Sequence, residues 1–146
     1  MKIRNGFVSN SSSSSFIVIG HKKYNVPDYT KRDYIIGEKG MLEFNWDIED
    51  HFDFESKVNF ATIQALCMEN DDYIGDIKDV IKKHTNCRSV FNEICLDGME
   101  RDYIGYIDHA SSASEDKNIE MFKSKDKLER FLCCSDSLIH TDNDNY

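Results

Sequence analysis

The sequence predicts an α+β fold: a small, mostly antiparallel sheet covered by two or three helices. Three observations lead there. Short apolar runs of strand length recur along the chain, capped runs of helical period sit between them, and the two intermix without a βαβ rhythm or an internal repeat. At 146 residues the chain has the length of a single domain, taken as 1–146 with a serine-rich N-terminal segment over 1–15. A domain of this size buries roughly 70% of its unfolded surface, enough for a core without disulfides or a structural metal.

In chain order, Phe16–Gly20 is a short β-rich apolar run closed by glycine and reads as a buried strand. Residues 21–33 are polar, contain the only proline (Pro27) and read as a loop. Tyr34–Ile36 and Met41–Trp46 flank Gly37-Glu-Lys-Gly40 and suggest a hairpin, with Leu42, Phe44 and Trp46 alternating against Glu43 and Asn45. Asp53 is a helix cap followed by an apolar stripe of Phe54, Val58, Ala61, Thr62, Ala65 and Leu66, which leaves Glu55, Lys57 and Glu69 outside. Asn70-Asp71-Asp72 breaks that helix and caps a second, from Tyr73 to His84, with Ile74, Ile77 and Ile81 on one face. Lys82, Lys83 and His84 sit in its last turn, at the negative end of the dipole.

Val90–Leu96 is a candidate strand ending in the turn dipeptide Asp97-Gly98, and Tyr103–Asp108 and Ile119–Phe122 are two more. Ser124 caps a helix through Leu132 with Leu128, Phe131 and Leu132 inward, and Ser137–Thr141 is a last strand. Phe7, Phe16, Val18 and Trp46 are expected in the core.

Composition excludes several classes. The net charge of −9, from 27 acidic and 18 basic residues, and the scatter of Lys and Arg argue against a nucleic-acid surface, which needs concentrated positive charge. The balance suits a protein partner with a basic surface, or plain solubility. No apolar run is long enough to span a membrane, and no apolar stretch precedes the serines as a secretory signal requires, so a cytoplasmic protein is expected. The five cysteines are odd in number and lack Cys-x-x-Cys spacing, and the adjacent pair Cys133-Cys134 suits neither a disulfide nor zinc. They read as reduced thiols.

The most unusual stretch is Arg4-Asn-Gly-Phe7-Val8-Ser-Asn10, five serines from Ser11 to Ser15, then Phe16. This opening resembles that of a group of small, uncharacterised proteins of tailed bacteriophages, with some bacterial copies. Ile107-Asp108-His109 and Asn143-Asp144-Asn145 resemble the same group. The resemblance implies a phage-encoded accessory protein in the host cytoplasm but assigns no activity.

Chemistry is sparse. Ser11, Ser12, Ser13, Ser14 and Ser15 carry hydroxyls and closely spaced amides suited to an anion, although the tract precedes its strand and lacks the glycines of a phosphate loop. Gly37–Gly40 is similar to the Gly-x-x-Gly loop of KH domains, but Glu38 opposes phosphate and a strand pattern follows. Ser124-Lys-Asp-Lys127 matches Ser-x-x-Lys without the motifs that accompany it in acylating enzymes. Asp108, His109 and His140, with Asp142 and Asp144 nearby, form the best catalytic candidate, provided the strands at 103–108 and 137–141 are neighbours. Imidazole and carboxylates there would serve a divalent metal or acid–base work. No cofactor motif is present: there is no Walker loop, Gly-x-Gly-x-x-Gly, His-Glu-x-x-His or EF-hand. The expected function is binding of a host or phage macromolecule, most simply a protein, without catalysis. The alternatives are a small metal-assisted enzyme acting on a phosphorylated substrate and a virion structural component.

Overall fold

The computed structural model describes residues 14–44, 48–96, 103–107 and 119–142. The fold is α+β. It contains a three-stranded antiparallel sheet in the order β1 (Ser14–Val18), β9 (Leu138–Asp142), β4 (Glu49–His51). Three two-stranded ladders join it, all parallel: β2 (Asp33–Ile36) with β5 (Ser89–Asn92), β3 (Glu43–Phe44) with β8 (Tyr106–Ile107), and β6 (Ile94–Cys95) with β7 (Tyr103–Ile104).

The hairpin expected across Gly37–Gly40 does not form, because β2 and β3 pair with different, later strands. A parallel partner demands a long crossover, and the helices α1 (Phe54–Cys67) and α2 (Asp71–Thr85) lie in the connection from β2 to β5. The loop is instead pressed onto α1. Asn59 Nδ2 donates to the carbonyls of Lys39 and Met41 at 2.8 and 2.9 Å, and the Met41 amide donates to Ser56 Oγ at 2.9 Å. Gly40 has φ +85°, and a Cβ there would meet the Ser56 nitrogen at 2.7 Å, so glycine is required on both counts.

The helix caps are where the sequence puts them. Asp53 accepts from the Ser56 amide, Asn70 from the Tyr73 amide, and Ser124 from the Lys127 amide at the start of α3 (Lys125–Cys133). The stretch at Ile119–Phe122 is not a strand but a single 3₁₀ turn, Glu120–Phe122. Its contacts explain the turn: Glu120 pairs locally with Lys123 and Lys127, while Phe122 stacks on the distant Tyr73 of α2 at 4.3 Å.

α1 is the centre of the molecule. It touches α2, α3, β2, β6, β8 and β9, and buries residues on every side, from Phe54 through Ala65 except Glu55. Phe60 meets Phe44 edge to face at 5.2 Å. Lys57, expected outside, is therefore buried. The 3.6-residue stripe identified one inward face correctly, but α1 has no outward face over these turns. α2 keeps one, burying Ile77, Val80 and Ile81 and exposing Asp71, Asp72, Asp79, Lys82 and Lys83.

On β1, Ile17 points into the core and Val18 is 42% exposed, against expectation. Successive strand residues point to opposite faces, so an apolar run on a sheet covered on one side cannot bury both. Phe16 is half-buried, and Phe7 and Trp46 lie outside the described residues. All five cysteines are free thiols. No helix among the described residues is long and apolar enough to cross a membrane.

Candidate functional site

The side of the β1–β9–β4 sheet away from α1 carries the most concentrated unassigned chemistry. Phe16, His140 and Asp50 lie directly opposite one another across the three strands. The His140 ring lies 4.7 Å from that of Phe16, and its Nδ1 sits 2.6 Å from Asp50 Oδ1. In the next row Val18 faces Leu138. Ile48 and Phe52 flank β4 immediately outside its two ends and are 63% and 48% exposed. The Asp50–His140 contact and the Phe16 ring thus lie beside the exposed Val18.

Of the candidate residues, His140 lies on this face, while Asp108 and His109 lie outside the described residues. The strands thought to bring them together are not ladder neighbours: β8 pairs with β3, and β9 is flanked by β1 and β4. The carboxylate against His140 is Asp50, ninety residues away, which no sequence spacing indicated. Ser11, Ser12 and Ser13 lie outside the described residues. Ser14 and Ser15 are the first residues of β1, opposite Asp142 and Thr141, so their backbone is extended and paired. An anion nest needs the backbone amides of successive turn-like residues to converge.

A second polar cluster was also hidden from the sequence. Glu129 of α3 accepts from Tyr24 Oη at 2.9 Å and lies 3.2 Å from Lys83 Nζ and 3.0 Å from His84 Nε2. His84 above all holds this carboxyl down at about 2, against its own partial burial, and burial with the Glu129 contact pushes the Tyr24 phenol well up. The only forward signal was the basic end of α2, which marks a helix terminus and names no partner. A groove of about 350 Å³ runs beside the cluster, between Asp76, Asp79 and Val80 of α2 and Lys125, Asp126 and Leu128 of α3. Glu129 is fully engaged by three partners and acts as a staple between α3, α2 and the loop at Tyr24.

Among the described residues no three His, Cys, Asp or Glu side chains are grouped to hold a metal ion. No family model, no curated protein and no solved structure matches the chain.

Proposed function

We propose that the protein acts by binding another protein, docking it on the outer side of the β1–β9–β4 sheet. One observation carries this reading: Val18 is 42% exposed on the face of the Asp50–His140 pair, and Ile48 and Phe52, at the two ends of β4, are 63% and 48% exposed beside it. Single exposed apolar residues are ordinary, whereas a contiguous apolar patch on a soluble domain marks an interaction surface. The net charge of −9 favours a partner with a basic rim and disfavours nucleic acid. The phage-like opening over residues 4–16 supports an accessory role in the cytoplasm of an infected bacterium. The metal-assisted enzyme and the virion component gain no comparable support among the described residues.

The test is affinity capture from bacterial lysate with the wild type and with Val18→Asp/Phe52→Asp. A specific protein retained by the wild type and reduced at least tenfold by the variant, at unchanged Tm, is the expected result. Equal retention by both would overturn the assignment of this face.

A further inference from the structure

Charged side chains are almost never fully buried unless they are paired, yet Lys57 is 1% exposed. Its Nζ donates to the carbonyls of Cys134 and Ser137 at 3.0 and 3.3 Å. Both acceptors are neutral, and among the described residues no carboxylate lies within ion-pair distance. The two carbonyls bracket the turn between α3 and β9. That turn is itself cross-tied: Gly20 donates its amide to Ser137 Oγ at 2.7 Å, and Ser137 Oγ donates to the Arg130 carbonyl at 2.7 Å. A Cβ at Gly20 would meet the Ser137 nitrogen at 2.7 Å, so the two segments approach as closely as backbones can.

The groups that face the ammonium are few. They are the thiols of Cys133 and Cys134 at the end of α3, the cap carboxylate Asp53 on α1, and Asp136 within the turn. Burial lifts Cys133 to about 12 and Cys134 above its ordinary value, so both thiols are neutral around Lys57 at physiological pH. Asp136 is held low by the backbone amides of Lys22 and His21. Two carboxylates at a distance do not restore the hydration the ammonium has lost.

We propose that Lys57 is a proton-operated latch on the α3–β9 turn: its charged form favours opening of the turn to water, and its neutral form favours closure. The physical basis is linkage. Burial brings Lys57 from 10.5 down to about 8, whereas an opened turn returns the amine to water and to its ordinary value. Between pH 8 and 9 the opening equilibrium therefore falls about tenfold; above 9 the Cys133 and Cys134 thiols, released by the same opening, begin to ionise and oppose any further fall. Below pH 8 both forms are protonated and the bias toward opening is constant. β9 is the middle strand of the sheet proposed above for docking, so the latch acts on how firmly that sheet's centre is anchored. It does not depend on what docks there.

Two measurements on the intact chain test it. The first is a direct NMR titration of the Lys57 side chain, for which a midpoint near 8 is expected; a midpoint at 10 or above overturns the latch. The second is hydrogen exchange at the Gly20 and Ser137 amides, corrected for intrinsic rate at each pH. Wild-type protection should rise about tenfold between pH 8 and 9, below the range in which the Cys133 and Cys134 thiols ionise on opening, while Lys57→Met and Lys57→Gln show no such rise. A flat wild-type profile, or the same rise in a folded variant, overturns it. The titration decides alone should neither variant fold.

Discussion

α1 and α2 are consecutive helices of 14 and 15 residues, each capped by an Asp or Asn side chain, yet they bury themselves in opposite ways. α2 has one apolar face and a charged surface, as a helix on the outside of a domain does. α1 has only two charged residues, Glu55 and Lys57, against seven Asp and Lys in α2, and it is enclosed by two helices and four strands. Its polar side chains are turned to structural use. Thr62 bonds the Val58 carbonyl, Asn59 holds the Gly37–Gly40 loop, and Lys57 holds the α3–β9 turn. Capping and periodicity decide that a helix forms. How many sides of it see water is decided by the elements that arrive from elsewhere in the chain.

The comparison can be broken by substitution, and the largest effect is expected at its centre. Phe60→Ala removes a fully buried ring of α1 packed on Phe44 and should cost about 3–5 kcal/mol in denaturant unfolding. Lys57→Ala should cost about 2–4 kcal/mol, because it strands two buried carbonyls and leaves a cavity. Lys82→Ala, on the exposed side of α2, should stay within about 0.5 kcal/mol. Similar losses at Lys57 and Lys82 would show that α1 is not enclosed. Asn70→Ala, which removes the α2 cap, should cost about 1 kcal/mol. At the small end, Gly75→Ala in α2 meets nothing within 4 Å and should stabilise by about 0.5–1 kcal/mol, seen as a raised Tm.

Acid sharpens the contrast between staple and core. Glu129 is held at about 2, below its ordinary 4.5, so its contribution is complete above 4.5 and is lost as pH falls toward 2. Glu129→Gln should flatten the stability profile across that window, and an unchanged slope would show that His84 and Lys83 contribute nothing there. Lys57 has the opposite signature at the other end of the scale. Its folded value lies below its unfolded one, so its own contribution to stability rises from about pH 8, opposed above 9 by Cys133, whose folded value of about 12 lies above its ordinary one; Lys57→Met should remove the rise between 8 and 9.

Much of the local structure was legible. Asp53, Asn70 and Ser124 are residues whose short oxygens bond the amides at a helix start, and all three do so. The apolar runs at Tyr34–Ile36, Val90–Leu96 and Ser137–Thr141 do contain strands, with Val90–Leu96 divided between β5 and β6. The site was less legible. His140 was singled out as a histidine on a strand, but Asp50 was not, because a strand partner ninety residues away leaves no mark in either segment. Val18 was misplaced because an apolar run does not say which of its faces is covered. The Ile119–Phe122 segment forms a turn rather than the expected strand because Phe122 stacks on Tyr73, a tertiary contact.

By itself the sequence determined where helices start and stop, that the class is α+β, and which cofactor motifs are missing. These follow from interactions between residues a few positions apart, whose energies are written in local order. Only the tertiary structure decided that β2 pairs with β5 rather than β3, that β9 takes the middle of its sheet, and that Lys57 is buried. Those outcomes depend on which distant segments cover which faces. A charged residue can end inside when its helix is enclosed and two carbonyls stand ready to receive its protons.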